Sequence, residues 1–228
     1  MKIKILFYCL FFLGLNLFAG GAFSMVEGKE IKHIALIGAS VGYGWDVPRL
    51  PQRIKRNDYE FEYVGSDDFD KSEFLKKVLQ REKKPDMVIL KECAAYFPGE
   101  FKKYKRNMES WIEQSFAAGV TPIMTTVAPV TRPNYFTKSY LKDLIKKYFF
   151  TKKTHMEERL KYILEYNDWV REYAKEKGLI VLDMEAALRV SDKDRRLRQD
   201  LTSGDGLHLN SEAYKILDDL MSNTLKKI

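Results

Sequence analysis

Two cysteines are all that 228 residues contain, and one of them, Cys9, falls within an N-terminal apolar run. With that run removed Cys93 stands alone, which excludes an internal disulfide framework. The fold then rests on its core, and a domain of roughly 200 residues buries enough surface to do so. Histidine is as scarce, with only His33, His155 and His208. No internal repeat or low-complexity tract is present, so the chain reads as one domain. The excess of one sign of charge over the other is also small. The net charge is +7, lower by two without Lys2 and Lys4. With no nucleic-acid motif beside it, that mild excess reads as solubility, not as a nucleic-acid partner.

What stands at the start is a leader. Met1-Lys2-Ile3-Lys4 is a charged head, Ile5 to Phe18 is an apolar run of 14 residues, and Ala19-Gly20-Gly21-Ala22 and Ser24 follow as small residues. The run is short for a membrane span of about 20 residues and matches a secretory signal peptide. The expectation is a signal peptide over 1–24, a mature domain over 25–228, and export to the periplasm or beyond. The alternative is an uncleaved N-terminal anchor. Cys9 lies inside the run and not after it, which argues against lipid attachment.

Along the mature chain two kinds of segment alternate. Lys32–Ile37, Tyr59–Val64, Met87–Leu90, Thr121–Val127 and Leu179–Leu182 are short and apolar on both faces, as strands covered from both sides are. Helical patterns lie between them at Lys71–Arg81, Gly99–Ala118, Met156–Lys177 and Ser211–Lys226. Gly178 stops the third, and Asn210 or Ser211 caps the last. This alternation predicts an α/β fold, a three-layer α/β/α sandwich around a mostly parallel five-stranded sheet, flavodoxin-like in outline. One segment departs from it. Residues 129–153 are rich in Lys and Arg and interleaved with Tyr and Phe. They read either as a lid or membrane-surface contact, or as a solvated helix with its aromatics packed inward.

Two short motifs carry chemistry. Gly38-Ala39-Ser40 closes the first strand, and Asp205-Gly206-Leu207-His208 precedes the last helix. A serine hydroxyl becomes a nucleophile when an imidazole takes its proton, and the imidazole needs a carboxylate to fix its tautomer. Both motifs fall at the carboxyl side of the predicted sheet, where α/β folds bind ligands. His33, within a strand, and His155, in the basic segment, are poor rivals to His208. A competing pattern overlaps the first motif: Gly38, Gly42 and Gly44 imitate the phosphate turn of a short-chain dehydrogenase. That reading needs a Tyr-x-x-x-Lys pair, and Tyr148/Lys152 and Tyr173/Lys177 are both available. Such pairs arise readily in a Lys-rich chain, and export would take the enzyme away from the nicotinamide pool.

From about Ile31 to its end the chain resembles the SGNH (GDSL-like) hydrolase family. The likeness is strongest at Gly38-Ala39-Ser40 and at Asp205 to Asn210 running into Ser211-Glu212-Ala213-Tyr214. Tyr166 to Ala174, leading into Leu179 to Asp183, resembles the family's approach to its fifth strand. The resemblance implies a serine esterase with Ser40 as nucleophile, His208 as general base and then acid, and Asp205 as its orienter. It implies an ester substrate, an acyl group on a glycan or a lipid, with no metal or cofactor. It leaves the oligomeric state open. The family's oxyanion hole uses the nucleophile's amide, a glycine amide after the second strand and an asparagine after the third. Gly65 fits the glycine, although a simple turn would also use one. Counting from Pro85-Asp86 sets Ala95 at the asparagine. Tyr96 and Lys91 are the nearest substitutes, while Glu92 could donate only if protonated and Cys93 reads as an inert buried thiol. A catalytically weak or inactive binding protein on the same fold is therefore the second reading, and the dehydrogenase is the third.

Overall fold

The computed structural model describes residues 31–65, 67–134, 141, 145 and 155–228. The expected signal peptide lies outside them, as does most of the basic 129–153 segment with Tyr148 and Lys152. Five strands, β1 (Lys32–Gly38), β2 (Tyr59–Gly65), β3 (Met87–Leu90), β4 (Thr121–Thr125) and β5 (Ile180–Leu182), form one sheet in the order β2-β1-β3-β4-β5. Every pairing is parallel.

The strands lack polar alternation because both faces are covered. Ile34 and Leu36 of β1 join Met87 and Ile89 in one buried cluster, while Ala35 and Ile37 join Val88 and Leu90 in the other. Helices α2 (Leu50–Ile54), α6 (Met184–Leu188) and α7 (Ser211–Leu225) supply Leu50, Met184, Leu188, Leu217 and Met221 to the first. Helices α3 (Ser72–Leu79), α4 (Phe101–Ala117) and α5 (His155–Lys177) supply Leu75, Met108, Trp111, Ile163 and Val170 to the second. The result is the expected α/β/α sandwich.

Two boundaries differ from the sequence pattern for identifiable reasons. β4 stops at Thr125, short of Val127, because the side-chain amide of the buried Asn167 takes over Val127's backbone. Asn167 Oδ1 accepts from its N–H at 2.7 Å, and Nδ2 donates to its carbonyl at 2.9 Å. The short helices α1 (Ser40–Gly44), α2 and α6 each span five residues, too few for a 3.6-residue period to register.

The sheet's strand order reverses at β1, which has β2 on one side and β3 on the other. The crevice beyond the carboxyl end of such a strand is where α/β sheets bind ligands. Ser40 stands two residues past that end.

Candidate active site

Ser40 opens α1, half-buried, directly after Ala39 in extended backbone. The glycines around it serve close packing. A Cβ on Gly42 would lie 2.7 Å from Leu36 Cδ2 and 3.2 Å from Tyr63, and one on Gly44 would lie 2.4 Å from the Tyr214 hydroxyl. Side chains therefore pack directly against both glycines. The other dehydrogenase pair within the described residues, Tyr173 and Lys177, is a stacking contact on α5, with Nζ 5.8 Å from the ring centroid. The approach of Gly44 to Tyr214 also brings α1 against α7, which begins three residues after His208.

Asp205 and His208 share one tight loop. His208 Nδ1 lies 2.5 Å from Asp205 Oδ2, while Oδ1 accepts the amides of Leu207 at 2.9 Å and His208 at 2.8 Å. Burial alone would raise the Asp205 pKa. The hydrogen bonds from the His208 ring and from the two amides outweigh it and hold the carboxyl below its usual range. An ionised Asp205 can only accept, so Nδ1 donates this hydrogen bond and Nε2 is left for another partner.

The loop is anchored on its far side. Thr131 N–H donates to the Gly206 carbonyl at 2.9 Å, and Asn134 N–H to the Gly204 carbonyl at 2.7 Å. Thr202 Oγ1 accepts the Gly206 amide at 2.9 Å. Gly206 has φ of 77°, and a Cβ there would sit 2.2 Å from the Thr131 carbonyl oxygen. Only glycine meets both demands. Since Thr131 follows β4, the loop sits at the carboxyl side of the sheet, the side on which Ser40 stands. The remaining histidines are elsewhere: His33 is within β1, where Nε2 faces Glu62 at 3.5 Å, and His155 is exposed at the start of α5.

Gly65 ends β2 in register with Gly38. It occupies a close approach and not a free turn, because a Cβ there would lie 1.9 Å from the Gly38 carbonyl oxygen. Tyr63 donates its hydroxyl to that same carbonyl at 3.2 Å.

After β3 the chain departs from what the family pattern suggests. Ala95 sits exposed in a 3-10 turn over Ala94–Tyr96. The Tyr96 hydroxyl donates to the Asp68 carbonyl at 2.8 Å and accepts from Lys71 Nζ at 3.0 Å. Its single proton is committed to the loop after β2, and burial pushes its pKa up. Lys91 is buried, with Nζ donating to the Glu92 carbonyl at 2.9 Å, and burial lowers its pKa. Cys93 is buried, as expected.

Glu92 is the residue whose state the sequence hid. It is fully buried, and among the described residues neither carboxylate oxygen has a hydrogen-bond partner. Burial raises its pKa to about 8 against the opposing pull of Lys71 and Lys91. The Tyr166 hydroxyl, on the same face of the sheet, is buried and unpaired as well. The only sequence signal was a charged pair, Lys91-Glu92, directly following an all-apolar strand.

The family model for GDSL-like lipase/acylhydrolase matches residues 14–221. No curated protein matches the chain. Solved structures alike in fold include a GDSL-like lipase from Bacteroides thetaiotaomicron at 19% identity and TM-score 0.62, covering 86% of this chain and 88% of that one. An acetyl xylan esterase aligns at 13% identity and TM-score 0.61, covering 85% and 99%. A psychrotrophic esterase from Pseudoalteromonas aligns at 14% identity and TM-score 0.54, covering 86% and 97%. At such identities these likenesses speak for the fold alone, whereas the family match spans nearly the whole chain. The chain belongs to the GDSL-like lipase/acylhydrolase family, and it is a hydrolase of ester bonds.

Proposed function

We propose that the protein is an exported serine esterase that removes acyl groups from a glycan or lipid through Ser40, His208 and Asp205. The observation that carries this reading is the 2.5 Å contact between His208 Nδ1 and Asp205 Oδ2, on a loop anchored by Thr131, Asn134 and Thr202. In the reaction, His208 Nε2 takes the Ser40 proton as Oγ attacks the acyl carbonyl. The amides of Ser40 and Gly65 receive the oxyanion. His208 then protonates the departing alcohol, and a water molecule deprotonated by His208 hydrolyses the acyl-enzyme. The 1–24 leader supports export.

One observation favours a second reading, a slow or inactive binding protein. Ala95 has no donor where the family places an asparagine, and losing one oxyanion donor costs about 10²–10³ in turnover. Tyr96 would have to leave the Asp68 carbonyl before it could substitute. A p-nitrophenyl acyl chain-length series on the mature protein, run beside Ser40→Ala, decides between them. The esterase reading expects hydrolysis that Ser40→Ala abolishes. No turnover with any chain length, or turnover that survives in Ser40→Ala, would overturn it.

A further inference from the structure

The half-buried Tyr63, close to the end of β2, reaches across to the end of β1. Its hydroxyl lies 3.2 Å from the Gly38 carbonyl oxygen and 3.0 Å from where a Cβ on Gly65 would stand. Its Cε2 lies 3.2 Å from the same position on Gly42. Ser40 is midway between Gly38 and Gly42, so one side chain borders the nucleophile's turn at both ends and the Gly65 backbone as well. The ring is held there edge-on by Tyr43, with 5.9 Å between centroids and 66° between planes. Burial raises the Tyr63 pKa, and Asp67, Cys93 and Tyr43 push it the same way, so the hydroxyl keeps its proton through the neutral range.

We propose that the Tyr63 hydroxyl donates to the oxyanion formed at Ser40, in place of the side-chain donor that Ala95 cannot supply. This rests on the esterase reading above and completes its oxyanion hole from β2 instead of from the loop after β3. The donors on that loop are committed: the Tyr96 hydroxyl to the Asp68 carbonyl at 2.8 Å, and the buried Lys91 to the Glu92 carbonyl at 2.9 Å. The bond that Tyr63 makes is the weak one, since 3.2 Å exceeds the usual O–H···O range of roughly 2.5–3.0 Å. A hydroxyl proton turns to a new acceptor by rotation about the C–O bond, with the ring left in place. An anionic oxygen accepts more strongly than a carbonyl, so the redirected bond forms chiefly in the transition state and raises kcat. Tyr63 transfers no proton. It lends a hydrogen bond while the carbonyl π electrons move onto oxygen, and releases it when they return and the alcohol leaves.

The test is hydrolysis of p-nitrophenyl acetate by wild type, Ser40→Ala and Tyr63→Phe, with a thermal melt of each. Phenylalanine keeps the ring against Tyr43 and Gly42 and removes only the donor. Tyr63→Phe should lower kcat by about 10²–10³-fold, with KM and melting temperature close to wild type. An unchanged kcat, or a raised KM alone, would overturn the assignment. So would a kcat loss that comes with a lowered melting temperature, which would make the hydroxyl a brace for the Gly38 carbonyl. Activity lost in Ser40→Ala and kept in Tyr63→Phe removes Tyr63 alone, whereas no hydrolysis by wild type removes the esterase reading with it.

Discussion

Gly65 and Gly38 face each other across β1 and β2 so closely that a methyl group on Gly65 would lie 1.9 Å from the Gly38 carbonyl oxygen. The obstacle is backbone at the end of a paired strand, which cannot swing aside as a side chain could. Gly65→Ala should therefore spread β1 from β2 at the site. Overpacking of this kind costs about 1–3 kcal/mol, and urea titration of the variant should read that loss. If the Gly65 amide also serves the oxyanion, kcat should fall along with stability while KM moves little.

Ser40→Ala and His208→Ala should abolish hydrolysis to a similar degree, because triad members act as one unit. Asp205→Asn is the more informative change. Its side-chain oxygen would still accept the Leu207 and His208 amides, keeping the loop. The new NH₂ would face Nδ1, however, and force the wrong tautomer. We expect a fall in kcat of about 10⁴ with an unchanged melting temperature. A normal kcat in Asp205→Asn would remove Asp205 from the mechanism.

Ala95 is exposed on the rim after β3, so a larger side chain has room there. Ala95→Asn should raise turnover if the oxyanion lacks a third donor. Tyr96→Phe should instead act through the loop that Tyr96 ties down at Asp68, lowering the melting temperature along with activity. Tyr96→Phe with full stability and a kcat loss near 10²-fold would show the hydroxyl serving the oxyanion after all.

Glu92 makes stability fall as pH rises. Its folded pKa, about 8, lies above the unfolded value near 4.5. Between those values the unfolded chain releases a proton that the folded chain keeps, so stability is full below about pH 4.5 and declines toward pH 8. Lys71, Lys91 and Asp70 are the charges that face it. Glu92→Gln keeps the shape of the neutral acid and removes the titration. Thermal melts from pH 5 to 8.5 should show Glu92→Gln overtaking wild type by a few kcal/mol at the upper end. Parallel curves would contradict the assignment.

Glu185 behaves in the opposite sense. It is fully buried and accepts hydrogen bonds from Arg171, Arg189 and Arg195, joining α5, α6 and the loop after α6. Burial would raise its pKa, but the three guanidinium groups outweigh that and bring it to about 2. Its contribution is present above pH 4.5 and is lost as pH falls toward 2. Glu185→Gln removes the shared carboxylate, while Arg171 keeps Asp168 and Asp183, Arg189 keeps Asp192 and Arg195 keeps Asp168, so the change should cost about 1–3 kcal/mol in urea at pH 7. A loss under 1 kcal/mol would show the cluster to be solvated.

Much of this protein is legible in the order of its residues. Strand positions, the long helices and the Asp205–His208 loop all follow from local signals: apolar runs, a 3.6-residue period, Gly178 as a stop and Asn210 as a cap whose side chain accepts the Ala213 amide. Such signals lie within a few neighbours of the residue they describe. What the tertiary structure decided involves groups far apart in the chain. Gly42 and Gly44 suggest a phosphate turn in the sequence, and in the fold Tyr63 and Tyr214 pack directly against them. β4 ends early because Asn167, some forty residues later, claims Val127's backbone. Tyr96 commits its proton to the loop after β2, and the Glu92 pKa is raised by a burial in which Tyr104 and Tyr166, distant in the chain, come close to it. Hydrogen-bond partners and exclusion of water set those states, and neither is a property of the local sequence.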